Sequence, residues 1–247
     1  MPVTGTIPTH QDTTLAGFAA PVSEPLALTE TRLGELVPPQ AGALVTTVYQ
    51  HVLKAGGKRL RPLLTLLSCE AAGGDALDGV ELAVAVEALH LSSLVHDDVI
   101  DEASHRRGKP SVRQRWGNRT SILVGDFLLA QVTRKLSGDF EQRALEVMAN
   151  AVSDMCLAEL MEYPSDPADL SEEAYFARIR GKTASLIAAA CEIGAIAAKS
   201  SAAREPLTAY GMSLGQAFQI TDDLLDLYGE AATLGKPVLQ DLGAGQW

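Results

Sequence analysis

From Leu26 onward, apolar residues recur at the three-and-four spacing of one helix face, and short runs of Gly, Pro and small polar residues interrupt them. The interruptions fall at Val37-Pro38-Pro39, Gly56-Gly57, Gly73-Gly74-Asp75, Gly108-Lys109-Pro110, Pro164-Ser165-Asp166-Pro167 and Gly235-Lys236-Pro237. Between them the pattern predicts helices over Gln40–Ala55, Leu60–Ala72, Asp78–Glu102, Ser111–Trp116, Ser121–Ser137, Phe140–Met161, Ser171–Lys199 and Ala203–Tyr228. Ser171 followed by Glu172 and Glu173 reads as a capped helix start. Strand-like alternation of useful length does not occur, so the expected class is all-α. Residues 1–25 are rich in Thr, Pro, Ala and Gly without periodicity and read as a flexible tail, leaving 26–247 as a single domain.

Composition adds constraints. Of 247 residues, 47% are hydrophobic but only 5% aromatic, which predicts a core packed from aliphatic side chains. A net charge of −11 and a pI near 4.9 argue against general affinity for nucleic acid or anionic membrane. The three cysteines, Cys69, Cys156 and Cys191, are widely spaced without a CxxC pair and read as reduced, buried thiols of a cytosolic (cytoplasmic) protein. No Lys or Arg precedes Arg32, which argues against a secretory or transit leader. The apolar stretch Leu186–Ala198 is broken by Glu192 and is shorter than the roughly 20 residues that span a bilayer, so no transmembrane segment is expected.

Two acidic clusters stand out. His96-Asp97-Asp98-Val99-Ile100-Asp101 closes one apolar helix, and Thr221-Asp222-Asp223-Leu224-Leu225-Asp226 closes another far along the chain. Asp97 and Asp101 are one turn apart and share a face, with Asp98 about 100° around. Helix C-termini already repel anions. Two unit charges 4 Å apart repel by about 4 kcal/mol at an effective dielectric of 20. A divalent cation relieves that repulsion, and magnesium accepts carboxylate together with substrate phosphate oxygens.

Basic runs accompany both clusters. Gly56-Gly57-Lys58-Arg59-Leu60-Arg61-Pro62 joins two predicted helices, with glycines that permit close approach and a proline suited to a first helical turn. Crowded cations of this kind suit a polyanion, Arg as a bidentate partner and Lys as a movable point charge. Arg106-Arg107-Gly108-Lys109 follows the first acidic cluster, Gly181-Lys182-Thr183 lies inside a helical pattern, and Gly235-Lys236 follows the second cluster. A Gly-x-x-x-x-Gly-Lys-Ser/Thr loop is missing, so a P-loop nucleotide site is unsupported.

Together these motifs closely resemble the trans-isoprenyl diphosphate synthases, the polyprenyl synthetase family. The resemblance rests on Gly57-Lys58-Arg59-Leu60-Arg61-Pro62, His90 through Arg107, Gly181-Lys182-Thr183 and Phe218-Gln219 through Asp226, and runs from about Leu26 to Leu242. Trp116-Gly117-Asn118 with Gly125-Asp126-Phe127-Leu128 looks most like the long-chain branch. The resemblance implies an isoprenoid-synthase-type helical bundle around a central apolar cavity. It implies that Lys58, Arg61, His90 and Arg107, with Arg59 in support, hold isopentenyl diphosphate. Asp97, Asp98, Asp101, Asp222, Asp223 and Asp226 would hold Mg2+, with Mn2+ as a substitute. Arg106, Lys182, Thr183, Gln219 and Lys236 would contact the allylic diphosphate. The catalytic set so implied is Asp97, Asp98, Asp101, Arg106, Lys182 and Asp222.

The implied product follows from helix geometry together with the family's habit of stopping chain growth with bulky aromatics before the first aspartates. Ser93 lies one turn below Asp97, Ser92 beside it, and Leu89 and Val86 deeper, with Leu89 or Leu91 as a deeper floor. Small residues at 92 and 93 imply a product of geranylgeranyl length or longer. The resemblance further implies a homodimer, with a heteromer as the alternative, no nucleic-acid partner, and peripheral membrane contact for release of a lipophilic product.

Departures come at the C-terminus. Family members usually continue through several more helices, whereas Leu239 stands where they have a glycine and Gln246 where they have a phosphate-binding lysine. The expectation is a bundle lacking its usual C-terminal helices, with apolar surface left bare or covered by a partner. A non-catalytic or partner-dependent subunit is therefore the second reading, and a class I terpene cyclase the third.

Overall fold

The computed structural model describes residues 14–139, 142–161 and 171–228, and within them the chain is almost wholly helical. In order, α1 (Leu15–Ala19), α2 (Ser23–Gly34), α3 (Ala43–Lys54), α4 (Leu60–Ala71) and α5 (Val80–Ile100) precede a two-residue hairpin, β1 (His105–Arg106) with β2 (Lys109–Pro110). Then follow α6 (Val112–Asp139), α7 (Gln142–Met161), α8 (Glu172–Ile179), a π-helical turn (Arg180–Ala184), α9 (Ser185–Ala197) and α10 (Ser201–Tyr228). The expected breakpoint at Pro164–Pro167 and the stretch containing Lys236, Leu239 and Gln246 lie outside the described residues.

Two helices that are apolar on nearly every side form the centre. α5 packs against α6, α4 and α2, while α9 packs against α10, α4 and α7. A helix hydrophobic all round must be enclosed. Ala76–Ile100 is long and apolar enough to cross a membrane by length and composition, a better candidate than the Leu186–Ala198 stretch considered from sequence, yet most of it is buried inside the bundle. Every residue from Ser185 to Ile196 in α9 is buried, Glu192 included. That carboxylate accepts from Arg143 at 3.0 Å and from Thr208 at 3.2 Å, which offsets its loss of water.

Small residues let α9 approach its neighbours. A Cβ on Gly194 would sit 2.4 Å from the Thr65 carbonyl oxygen of α4, and one on Gly211 of α10 would sit 2.7 Å from the Ala188 Cα of α9. Gly117, at φ 81 and ψ 165, divides α6 into the two pieces that the sequence pattern predicts. Ser171 caps α8 as expected, its Oγ accepting from the Ala174 amide at 3.1 Å.

The N-terminal expectation needs correction. Residues 15–25 are not a tail: Thr14 caps α1 and Pro25 falls in the first turn of α2, where a missing N–H costs nothing. Val22 is fully buried against Leu63, Leu66 and Val80. The prolines that suggested disorder mark helix starts. The small hairpin was also unforeseen, being too short for a periodic signal. The cysteine reading holds for Cys69 and Cys191, but Cys156 is exposed, because α7 turns it toward the cavity described below.

Because the atoms facing Gly194 include backbone, Gly194→Val should destabilise the fold by about 1–3 kcal/mol through overpacking. Chemical denaturation will show a lowered midpoint at unchanged m-value; an unaltered midpoint would contradict the close α4–α9 contact.

Candidate active site

A cavity of about 640 Å³ runs alongside α5, and both kinds of charge reach it. Arg61 and His90 line one part, Asp97, Lys182 and Thr183 another, and Leu89, Leu129, Val152 and Met155 supply apolar wall. Because α5 places His90, Ser93 and Asp97 on successive turns of one stripe, a single helix connects the basic and acidic regions.

The basic region is assembled from two chain reversals. Arg59 caps α4 in the left-handed region, φ 51, and the first turn then carries Arg61 inward. Among the described residues the buried Arg61 Nε has no hydrogen-bond partner, and burial, with Arg107 adding to it and Glu87 opposing, lowers its pKa to about 10. His90 is held well below the usual histidine range, by burial first and then by Arg61, Arg107, Arg106 and Arg59. Its neutral imidazole can donate to an anion without adding charge. Arg107 and Gly108, both at positive φ (52 and 74), form the hairpin turn, as in a type I′ connection. His51 Nε2 lies 2.7 Å from the Pro110 carbonyl oxygen, and Lys109 donates to the Lys54 carbonyl, fixing the hairpin on α3. Arg107 therefore lies over Gly57, where a Cβ would sit 2.6 Å from its guanidinium. Lys58 is exposed beside them.

The acidic region is less uniform than six equivalent ligands. Asp97 faces the cavity, and burial pushes its carboxyl up to about 7, with Glu159 adding to the rise and Lys182 and Arg106 opposing it. Glu159 of α7 also pairs with Lys182 at 3.1 Å. Asp101 is exposed as the C-cap of α5. Asp98, about 100° around the helix, is buried and accepts twice on Oδ1 from Arg106, at 2.7 and 2.9 Å. It lines a separate, smaller cavity together with Arg106, Arg107 and Leu91.

The second cluster reaches the same cavity through a relay. Thr183 donates to Gln219 at 2.6 Å, Gln219 donates to Asp223 at 2.8 Å, and Tyr175 donates to the other Asp223 oxygen at 2.7 Å. Asp222 is exposed and Asp226 buried. Widening of the helix by the π turn brings both Lys182 and Thr183 to the wall, and Gly181 fits because α7 approaches to 2.7 Å of where its Cβ would stand.

Residues 43–247 match the polyprenyl synthetase family over more than four-fifths of the chain's length. This chain belongs to the polyprenyl synthetase family. As a polyprenyl synthetase its enzyme class is prenyltransferase. It is 39% identical over 229 residues to heptaprenyl diphosphate synthase component 2 of Geobacillus stearothermophilus, covering 91% of this chain and 70% of that one. It is 38% identical over 229 residues to the all-trans-nonaprenyl-diphosphate synthase (geranyl-diphosphate specific) of Rhodobacter capsulatus, covering 92% and 70%. Among solved structures, the polyprenyl synthase from Caulobacter crescentus CB15 complexed with calcium and isoprenyl diphosphate superposes with a TM-score of 0.88 at 35% identity, covering 96% of this chain and 73% of that one. The isoprenoid-synthase helical fold expected from sequence is thus the fold of this polyprenyl synthetase.

Several residues fall elsewhere than expected. Val86 is fully buried in the core and does not line the cavity, because the wall at that depth is closed by Leu89 and by α6 and α7. Leu91, about 200° from Leu89, faces the smaller cavity. Ser92 spends its hydroxyl on the Gly125 carbonyl at 2.8 Å, joining α5 to α6, while Ser93 donates to its own helix at His90 and leaves the wall open. Glu159, Val152, Met155 and Leu129 were not foreseen. Glu87 was also missed, although a lone Glu inside Val84–Leu89 signals a buried charge that must find partners.

In metal-free protein, carbon-13 NMR should find Asp97 titrating near pH 7, and Glu159→Gln should lower that midpoint, since removing a neighbouring negative charge favours the ionised form. A midpoint near the ordinary value of about 4 would refute this environment.

Proposed function

We propose that this polyprenyl synthetase joins isopentenyl diphosphate head-to-tail to an allylic diphosphate, with Mg2+, giving an all-trans product of geranylgeranyl length or longer. The observation that carries the reading is one cavity that meets Arg61 and His90, Asp97 and Lys182, and a long apolar wall. The family's homodimer and cytoplasmic setting belong to the same proposal.

Among the described residues, no three Asp, Glu, His or Cys side chains gather closely enough to hold a metal alone. The donor set fits magnesium all the same, since it takes one or two carboxylates plus substrate phosphates in place of a full protein cage. Asp97, Asp101 and Asp222 would hold it, while Asp98 and Asp223, engaged by Arg106 and by Tyr175 and Gln219, would brace the helix ends. Bound there, the ions would neutralise charge on the departing pyrophosphate.

The chain's own groups take the remaining roles. Arg106, Lys182, Thr183 and Gln219, with Lys236, bind and orient the allylic diphosphate, and Lys58, Arg61, His90 and Arg107 bind the isopentenyl diphosphate. Cleavage of the allylic C1–O bond sends the electron pair to pyrophosphate and leaves an allylic cation. The isopentenyl double bond attacks C1, and loss of one proton to the released pyrophosphate restores a double bond. The aliphatic wall excludes water that would quench the cation. It also receives the growing chain past Ser93, toward Leu89, Leu129, Val152 and Met155.

Incubation with farnesyl diphosphate, labelled isopentenyl diphosphate and magnesium should yield elongated prenyl diphosphates; absence of elongation would reject the reading. Asp97→Ala should lower elongation by about a hundredfold at an unchanged circular-dichroism spectrum. Ser93→Phe should shorten the product, and an unaltered product ladder would show that chain growth bypasses this wall. The Geobacillus relative's designation as a component supports a second reading, a subunit that elongates only with a partner chain. Activity regained only on adding that chain would favour it.

A further inference from the structure

Arg59 stands in the basic loop, but its side chain turns away from the cavity. Its Nη1 donates to Glu87 of α5 at 2.9 Å, and its Nε and Nη2 donate to the two carboxylate oxygens of Glu30 in α2. Its side chain is 11% exposed, and that of Glu87 only 3%. Burial alone would lower the Arg59 pKa, yet the bond to Glu30 and the charge of Glu87 outweigh it and hold the pKa raised. The guanidinium is thus committed on both edges. Its backbone is committed as well, in the left-handed conformation that ends the glycine loop and starts α4. That reversal lets Arg61, two residues on, line the cavity, whereas Arg59 does not.

We propose that Glu30, Arg59 and Glu87 are positioning residues, a carboxylate–guanidinium–carboxylate clamp through which α2 and α5 preset Lys58 and Arg61 for isopentenyl diphosphate. This rests on the reading of the basic loop given above. Arg59 contacts no substrate. Glu87 has a further part: lying near Arg61 and Arg107 as well, it lowers the mutual repulsion of the cations while the site is empty. Glu30 matters most for testing, because it is half-exposed, lines neither of the two cavities described above and reaches the loop from a helix near the start of the described chain.

Titration calorimetry of the full chain with isopentenyl diphosphate, and separately with farnesyl diphosphate plus magnesium, decides the matter. Glu30→Gln and Arg59→Met should each weaken isopentenyl diphosphate about tenfold or more while farnesyl diphosphate stays within about twofold. Glu30→Asp, which keeps the carboxylate, should recover most of the loss. A merely structural role would weaken both ligands in step with a fall in melting temperature, and that result would overturn the clamp. Loss in Arg59→Met with none in Glu30→Gln would overturn it too, by making Arg59 a direct ligand. Arg61→Met is the separate control. Unaltered isopentenyl diphosphate binding in that variant would overturn the reading of the loop itself, whereas weakened binding there beside normal Glu30→Gln and Arg59→Met would overturn the clamp alone.

Discussion

A helix that is apolar on every side can be stable in water only when other helices enclose it, and α5 carries that constraint for the whole structure. Enclosure fixes its rotation, and a fixed rotation decides which of its few polar residues meet the cavity. His90, Ser93 and Asp97 fall on the open stripe, whereas Glu87 and Asp98 fall on sides where only another side chain can answer their charge. The arginines at 59 and 106 do answer it. The same packing that builds the core thereby sorts acids of identical chemistry into those that face a ligand and those that brace the frame.

Electrostatics in the cavity follow from this sorting. The acidic and basic regions share one apolar-walled space without fully cancelling, since Asp97, Glu159 and Lys182 form one group and Arg61 and His90 another. In a poorly hydrated setting, uncancelled charge is costly until a polyanion and its counter-cations bind. The free protein therefore holds apart charges that a diphosphate would bring into register, and the preset geometry spares the cost of arranging them at each turnover.

Much of this was readable from the chain. The breaks at Gly56-Gly57, Gly73-Gly74 and Gly117, the cap at Ser171 and the two aspartate clusters all announce themselves locally, through turn chemistry, capping or helical spacing. What stayed hidden depends on contacts between distant segments. No periodicity marks Glu159 as Lys182's partner, or distinguishes Asp98 from Asp97, because both facts belong to how α7 and the hairpin dock on α5. Prolines at 21 and 25 misled for a related reason: composition cannot tell a disordered tail from helices whose first turns accept proline, and the Thr14 cap and the burial of Val22 separate the two. Val86 was misassigned because spacing gives the face of a helix but not the depth at which neighbours close over it.

The π turn at Arg180–Ala184 has an implication for comparing sequences across the polyprenyl synthetases. A turn closed at i→i+5 stores one residue more than an α-helical turn, so the register before and after it differs by roughly 100°. Loss of a single residue there would not shorten a loop. It would rotate α8 against α9, swinging Tyr175 away from Asp223 and Lys182 out of its place. Length through this stretch is accordingly constrained as tightly as residue identity, even though nothing in the hydrophobic pattern records it.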